Sequence, residues 1–368
     1  MRWVDVARRL IPRPVRFAIQ RVVPLTGVKL RYNRWRTPLS EVVESDANTW
    51  GSPIRLGITA TRTYHHTQFV AACLELGVPF RVIDLYPADW WERFQASGCD
   101  ALLAWPDAVA PSAAHVIKDR LDLLEVQHLV PVMPATHERW VFEDKYRLSD
   151  WLRTHDVPHP RTWVFSDRAE AEDFGSTCPL PIVTKTSFGA QAAGVRVLRS
   201  RAAVRATIAM AFGRGLVAGG LDQRERERGR VLFQEHLAVA NEWRLVRIGD
   251  AYFGHPKGLR GGYHSGSGRV EWDVPEPRHL AFLHAVTEKG SFRSMNVDAF
   301  ETVDGRLLVN ELQTVFGASA SVDQMRVGGV AGRMVREEDS GWRFEPGDFA
   351  RNACANARVI DFLERWSQ

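Results

Sequence analysis

The sequence predicts an α/β fold that begins with an open parallel sheet, and two observations support this prediction. Residues 54–132 alternate between β-rich and helical segments, which is typical of parallel strands with helices on their faces. From Asp144 onwards the alternation gives way to a different order of strands and helices that includes a hairpin over 296–313. With 368 residues, 45% of them hydrophobic, the chain is long enough for two or three packed lobes.

The charge distribution separates the first residues from the remainder. Residues 1–36 contain ten basic residues and one acid, Asp5, so the rest of the chain is mildly acidic although the whole carries a formal net charge of +4. This pattern does not favour a nucleic-acid partner. The four cysteines show no disulfide or zinc spacing, and no apolar run reaches the roughly 20 residues of a membrane span. We therefore expect a cytoplasmic protein.

The first predicted element, assigned to residues 1–50, is a basic amphipathic arm. Val15, Ile19 and Val22 share one helical face, opposite arginines such as Arg16. Three interpretations of residues 1–36 remain open. The first is contact with an anionic membrane surface, which would place the protein at the inner face of a membrane, or with an acidic partner; the second is packing of the apolar face on the body. A transit peptide is the third and has less support, because serine is scarce in this segment. The oligomeric state is also open, and a homodimer is compatible with the sequence.

The next domain, assigned to residues 51–135, is the predicted parallel sheet. Its strands are predicted at 54–59, 80–85, 101–105 and 129–132, and its helices at 68–77, 88–97 and 112–127. No GxGxxG follows the first strand, which argues against a dinucleotide. Tyr64, His65 and His66 follow that strand at the edge where α/β sheets bind ligands. They are predicted either to contact substrate or to form a hydrogen-bonded loop.

The remaining elements are assigned to two lobes, 136–233 and 234–368. Helices are predicted at 145–155, 168–174, 202–212, 279–288 and 348–366, and strands at 162–165, 182–185, 195–198, 231–236, 243–248 and 251–255. The charged segment 222–230 is predicted to be mobile.

The hairpin over 296–313 contains the most specific group of candidate site residues. Asp304-Gly305 is a strong two-residue turn signal, and such a turn places Asp298 opposite Glu311 and Asn296 opposite Gln313. Because side chains alternate faces along a strand, these four polar residues emerge on one side. Two facing carboxylates repel unless a cation lies between them, and an all-oxygen set suits Mg²⁺, with Mn²⁺ as an alternative ion. The hairpin therefore predicts a divalent-metal site.

Lysines form a second set of candidates, because only six of the 48 basic residues are lysines. Lys185 ends a β-rich run and precedes a loop with two glycines, whose backbone N–H groups can close over phosphates. Lys145 stands at the start of a predicted helix, and Lys257 precedes the hairpin.

Together these motifs resemble the ATP-grasp ligase superfamily over about 144–313. The resemblance implies two α+β lobes that sandwich ATP, with the parallel-sheet lobe as the pre-ATP-grasp domain. It implies that Lys145 and Lys185 bind phosphates. Asp298 and Glu311 would be the metal-binding acids, with Gln313 at a position where the family usually has Asn.

The resemblance assigns further roles in nucleotide binding. Ser187, Phe188 and Gly189 would belong to the closing loop. The adenine hinge, which in the family contacts the base mainly through its backbone, would comprise Gln234, Glu235 and Leu237. Glu242 resembles the ribose-binding acid.

The implied activity is a Mg-ATP-dependent ligase that activates a carboxylate as an acyl phosphate and joins it to an amine. The candidate catalytic residues are Arg244, Lys257 and Arg260. Ser265 and Ser267 are candidates for holding the intermediate, although a Gly/Ser-rich connector explains them equally well. The substrates would be small or polymer-linked acids and amines. Two alternatives remain: ATP-grasp phosphoryl transfer of the kinase or carboxylase type, and a non-catalytic nucleotide-binding or recruitment module.

Overall fold

The computed structural model describes residues 39–106, 111–189, 194–218, 224–257, 274–315, 325–337 and 341–366, together with a few positions between 31 and 37. The predictions for the arm at 1–30 and for Arg260, Ser265 and Ser267 lie outside these residues. Within the described part of the chain, no helix is both long and apolar enough to cross a membrane.

The first sheet has five strands in the order β1-β3-β2-β4-β5, parallel except for the antiparallel edge strand β1. Its elements are β1 (Glu44–Ser45), β2 (Leu56–Thr59), α1 (Thr67–Leu76), β3 (Phe80–Ile83), α2 (Trp90–Ser97), β4 (Ala101–Leu103), α3 (Pro111–Gln127) and β5 (Val132–Met133). Strand β2 is buried along its whole length, as expected for a strand covered by helices on both faces. The predicted open parallel sheet is thus present.

A second, antiparallel sheet has the order β6-β11-β7-β8. The elements from here to its last strand are α4 (Thr136–Val141), α5 (Lys145–Thr154), β6 (Thr162–Phe165), α6 (Arg168–Thr177), β7 (Ile182–Lys185), β8 (Arg196–Leu198), α7 (Arg201–Phe212), β9 (Leu216–Val217), β10 (Arg226–Glu227) and β11 (Val231–Glu235). Side-chain caps begin three of these helices, at Asp144, Asp167 and Ser200. The predicted mobility of 222–230 is wrong for Arg226 and Glu227, because these residues pair with Val217 and Leu216.

The third sheet is antiparallel and runs β15-β14-β12-β13-β17-β16, with β18 beside β17. Its elements and the final helix are β12 (Val239–Ile248), β13 (Ala251–Pro256), α8 (Pro277–Lys289), β14 (Ser294–Thr302), β15 (Leu307–Gln313), β16 (Arg326–Val327), β17 (Val330–Glu337), β18 (Gly341–Pro346) and α9 (Arg351–Trp366). Strands β16 to β18 were not predicted. At the start of α9, residues 352–354 have a left-handed backbone, so the right-handed helix is shorter than predicted.

Alternation along β12 and β14 gives the third sheet two different faces. Odd-numbered residues such as Leu245 and Val297 pack in one core with Leu280 and Leu283 of α8. The even-numbered residues therefore point to the opposite face, and several of them are polar or charged. Three residues predicted to be functional lie on this second face: Glu242, Arg244 and Asp298.

Candidate functional site

The paired carboxylates lie at the base of the β14-β15 hairpin. Asp298 is directly opposite Glu311, and Asn296 is opposite Gln313, as predicted. The predicted two-residue turn is wrong, however, because Thr302 donates its N–H to the Arg306 carbonyl (3.0 Å) and leaves a three-residue loop. Gly305 closes this loop in the left-handed region at φ 82°.

A β-bulge restores the predicted pairing below the loop. Ala299 pairs with Val309 whereas Asp298 pairs with Glu311, so Asn310 is the extra residue on β15. Val309 packs in the core of the third sheet, whereas Asn310 and Glu311 are both half-buried on its other side. The bulge thus adds an amide to the polar face, beside the carboxylate.

Polar residues form a row across four strands of this face. His255 pairs with Arg244, Arg244 with Asp298, and Asp298 with Glu311, and directly opposed residues in antiparallel strands share a face. The Arg244 Nε lies 3.2 Å from Asp298 Oδ1. The row therefore joins a cation, two acids and a buried histidine.

Lys257 lies against two acids of this face. Its Nζ donates to Glu242 Oε1 at 2.8 Å and also to Asp298 Oδ2. Burial alone would raise the pKa of Asp298, but the charges of Arg244 and Lys257 outweigh it and hold that pKa below the usual range. Burial alone would lower the pKa of Lys257, but the charges of Asp298 and Glu242 outweigh burial and raise that pKa above its usual value. Both groups are charged at neutral pH.

Two further lysines reach the same face from the second sheet and from α5. The Lys145 Nζ lies 3.3 Å from Glu311 Oε1 and donates to the Gly189 carbonyl at 2.9 Å. The Lys185 Nζ donates to Asn310 Oδ1 at 2.9 Å. Burial, with Lys145 as a second cause, lowers the pKa of Lys185 to about 8. Three of the six lysines of the chain thus surround two carboxylates.

The segment after β7 presents backbone N–H groups to this region. Ser187 and Phe188 both donate their N–H groups to the Glu227 carboxylate, at 2.7 and 3.0 Å. Gly189 donates its N–H to Glu143 Oε2 at 3.3 Å. The N–H groups of this loop thus donate to carboxylates of the same chain in this structure.

The residues predicted as the adenine hinge lie where the second and third sheets are joined. Gln234 and Glu235 end β11, and Leu237 lies in the link before β12. The Gln234 amide donates to Thr162 Oγ1 at 2.9 Å, and the Glu235 carboxylate accepts from the Arg161 N–H at 2.7 Å. These contacts tie the end of β11 to the beginning of β6.

Tyr64, His65 and His66 follow β2, at the carboxyl edge of the first sheet as predicted. His66 is buried, and its Nδ1 accepts the Thr61 N–H at 3.1 Å. His65 packs near the Trp105 ring, 5.5 Å between centroids. The structure therefore gives this segment hydrogen bonds of its own, and substrate contact there stays a prediction.

Five polar residues at the site were not predicted as functional: Glu143, Glu227, His255, Asn296 and Asn310. Asn296 donates to Asp298 Oδ1 and to Gln313 Oε1, at 3.1 and 3.2 Å. The position of Asn296 on the polar face was predicted from alternation. The contacts of Glu143, Glu227 and Asn310 depend on tertiary packing and on a bulge, and no local sequence signal indicates them.

Within the described residues, no three His, Cys, Asp or Glu side chains lie together as a metal-binding cluster. Asp298 and Glu311 are a pair, and the neighbouring Gln313 and Asn310 add amide oxygens. Such a donor set is too small to enclose an ion by itself, but it suits Mg²⁺, which in proteins is bound by one or two carboxylates together with substrate phosphates and water.

Comparisons with known proteins place this geometry in a structural context. No protein-family model matches the chain, and no curated protein matches its sequence significantly. Solved structures do match, but their sequence identities are low, so these matches bear on the fold alone.

D-alanine–D-alanine ligase from Bacillus anthracis is 13% identical with a TM-score of 0.53, and the match covers 85% of this chain and 98% of that one. N5-carboxyaminoimidazole synthetase from Staphylococcus aureus, complexed with ADP, is 11% identical with a TM-score of 0.53 and coverages of 78% and 83%. The RimK domain protein ATP-grasp from Sphaerobacter thermophilus DSM 20745 is 18% identical with a TM-score of 0.50 and coverages of 70% and 90%. The chain therefore has the ATP-grasp fold that its sequence motifs predict, and it resembles the ligases of that superfamily in structure.

Proposed function

We propose that the protein is a Mg-ATP-dependent ligase that activates a carboxylate as an acyl phosphate and joins it to an amine. The observation that carries the proposal is the polar face of the third sheet, where Lys145, Lys257 and Arg244 lie within hydrogen-bonding distance of Asp298 or Glu311. Phosphoryl transfer depends mainly on positioning and on offsetting negative charge. The structures with a similar fold include one named as a ligase and one named as a synthetase, which agrees with this reaction class.

The cations support binding of a polyphosphate. The Lys185 ammonium is buried and its hydrogen bond goes to a neutral amide oxygen, so an entering phosphate would bring a negative charge within hydrogen-bonding distance of it. The Lys145 ammonium already spans the loop carbonyl of Gly189 and the Glu311 carboxylate. Both lysines thus lie between the loop and the acids.

The loop after β7 supports the same assignment. Its N–H groups at Ser187 and Phe188 converge on one carboxylate, which has the charge and the oxygen acceptors of a phosphate group. The carboxylate is therefore a stand-in for the anion that we propose for this loop.

The donor set at Asp298 and Glu311 fits Mg²⁺, with Gln313 adjacent. Both acids form ion pairs with lysine side chains. A divalent ion that arrives with ATP would replace part of the positive charge that these lysines supply. Bound Mg²⁺ would withdraw negative charge from the phosphoryl oxygens.

In the proposed reaction, a substrate carboxylate oxygen forms a bond to the γ-phosphorus and the bond to the β,γ-bridging oxygen breaks, releasing ADP. Arg244 and Lys257 would orient the acyl phosphate through charge-assisted hydrogen bonds. The amine nitrogen then bonds to the acyl carbon, phosphate leaves, and the nitrogen loses a proton. A side-chain nucleophile is not required for either step.

The test has a binding arm and a product arm. Calorimetry with a non-hydrolysable ATP analogue, with and without Mg²⁺, compares the wild type with Glu311→Gln. Glu345→Gln is the matched control. Glu345 lies on β18, away from the β14-β15 hairpin, and its carboxylate is 2.9 Å from the Arg333 guanidinium on β17. We expect Mg-dependent binding that Glu311→Gln weakens about tenfold or more, roughly 1.4 kcal/mol, and that the control leaves unchanged.

The product arm screens acids and amines for ADP release and identifies the product by mass. An amide together with ADP and free phosphate supports the ligase. A phosphorylated substrate would identify a kinase-type reaction, and nucleotide binding without turnover on any pair would favour a non-catalytic module.

A further inference from the structure

The carboxylate of Glu227 occupies the backbone donors of the loop after β7. It accepts the Ser187 N–H at 2.7 Å through Oε2 and the Phe188 N–H at 3.0 Å through Oε1. Tyr146 adds its hydroxyl at 3.4 Å from Oε2. One carboxylate thus has two backbone partners and one side-chain partner at the site where the proposed function places nucleotide phosphates.

Glu227 reaches the loop from a separate element. It lies on β10, which pairs only over Arg226 and Glu227 with the two residues of β9. Two residues earlier, Glu225 contacts the first domain, where it accepts the Ser112 N–H at 3.1 Å and the Ser112 hydroxyl at 2.5 Å. The Glu225 carbonyl also accepts the Ala218 N–H at 3.1 Å, so backbone hydrogen bonds hold β9 and β10 together without the two carboxylates.

A phosphate group and this carboxylate cannot use the same N–H groups at once. A phosphate beside Glu227 would also place like charges next to each other in a partly buried region, which disfavours both ionised forms. Burial already raises the pKa of Glu227, although the N–H groups of Phe188 and Ser187 oppose that rise. The carboxylate must therefore leave before the phosphate can bind these donors.

We propose that Glu227 is a built-in competitor of the nucleotide phosphates, a carboxylate latch that closes the phosphate loop in the absence of ATP and is displaced when ATP binds. This inference rests on the proposed function, since it requires that Ser187 and Phe188 bind phosphate. Apparent affinity falls in proportion to the fraction of molecules that are binding-competent, so the latch lowers ATP affinity without touching the adenosine moiety.

Two substitutions and three probes test the latch. Glu227→Gln removes the charge with little change of shape, and Glu227→Ala removes the acceptors. Glu225→Gln is the matched control on the same hairpin, since Glu225 contacts Ser112 and not the loop. The probes are a non-hydrolysable ATP analogue, pyrophosphate and adenosine.

We expect both Glu227 variants to bind the ATP analogue and pyrophosphate about tenfold more tightly than the wild type, as removal of a state populated at about 90% would produce. Adenosine binding should stay unchanged in every variant, and Glu225→Gln should bind all three probes like the wild type. Equal or weaker analogue binding in both Glu227 variants would overturn the latch while the proposed function stands. Absence of nucleotide binding in the wild type and in all variants would overturn both.

Hydrogen exchange on the wild type tests the latch without a substitution. Addition of the ATP analogue should slow exchange of the Ser187 and Phe188 amides and speed exchange across Arg226 and Glu227. Slower exchange in both segments would mean that Glu227 stays in place beside the nucleotide, and the inference would be wrong.

Discussion

Replacement of Lys185 by methionine should stabilise the protein and weaken nucleotide binding at the same time. The Lys185 side chain is 9% exposed, and its Nζ donates to the neutral Asn310 oxygen at 2.9 Å. Burial lowers its pKa from 10.5 to about 8. The fold therefore holds an ammonium whose charge the neighbouring acids compensate only in part.

The magnitude follows from that shift. About 2.5 pKa units at 1.36 kcal/mol each correspond to about 3 kcal/mol that the charged lysine costs the folded state near neutral pH. Methionine fills a similar volume without charge, but it leaves the Asn310 oxygen without its donor, at about 1 kcal/mol. We expect Lys185→Met to raise the free energy of unfolding by about 2 kcal/mol and to lower affinity for an ATP analogue by about tenfold or more.

The pH dependence has a defined sign. Between pH 8 and 10.5 the unfolded state keeps a proton on Lys185 that the folded state has lost, so wild-type stability gains from rising pH in this window. Methionine has no such proton. The stability advantage of Lys185→Met should therefore shrink above pH 8, pass through zero before pH 10.5, and reverse to a deficit of about 1 kcal/mol near pH 10.5, where only the lost hydrogen bond to Asn310 remains.

Urea unfolding at about pH 7 and about pH 10 measures both stabilities, and calorimetry measures the analogue affinity. Lys289→Met is the control, because Lys289 is exposed at the end of α8 and donates to the His155 carbonyl. A Lys185→Met protein that is less stable than the wild type at both pH values, or that binds the analogue equally well, would refute the reasoning.

Three further predictions concern Asp298, the buried His66 and the hairpin glycine Gly305. Asp298→Asn removes one of the two acids that pair with Lys257, so we expect the free energy of unfolding in urea to fall by about 3 kcal/mol. Adding Lys257→Met to this variant should restore part of that stability. Burial lowers the pKa of His66 to about 4, so the unfolded state binds the extra proton between pH 6.5 and 4 and stability falls through that window as pH falls. The fall should total about 3 kcal/mol, and a His66→Gln protein should show a correspondingly flatter acid titration of its unfolding free energy. Gly305→Ala meets no atom within 4 Å but is strained at φ +82°, so it should cost about 1 kcal/mol and leave nucleotide affinity unchanged; reduced affinity would mean that the hairpin tip belongs to the site.

The sequence could predict the fold because its signals were local and mutually consistent. Alternation of strands and helices indicated the parallel sheet, and the bounds of β6 and β7 agree with the predicted strands residue for residue. Strands β16 to β18 were missed, although Gly328-Gly329 between Val327 and Val330 is a two-residue hairpin signal. The sequence therefore contains a local signal for this hairpin.

The site was less predictable, because several of its contacts join residues far apart in the chain. Glu227 meets Phe188 across 39 positions, and Lys185 meets Asn310 across 125. The charges of 222–230 led only to the prediction of a mobile segment, because no local pattern distinguishes a carboxylate that faces solvent from one that accepts two backbone N–H groups. Such contacts follow from tertiary packing alone.

The bulge on β15 shows why a correct pairing can come from an incorrect turn, and why this matters for the chemistry. A three-residue loop shifts the register by one residue relative to a two-residue turn, and the extra Asn310 shifts it back, so Asp298 still faces Glu311. A regular strand would have placed only one of Asn310 and Glu311 on the polar face. Because both lie there, Lys145 meets a carboxylate while Lys185 meets a neutral amide oxygen. The bulge thus leaves one buried cation without a carboxylate at hydrogen-bonding distance, and this is the position at which an incoming phosphate would gain the most.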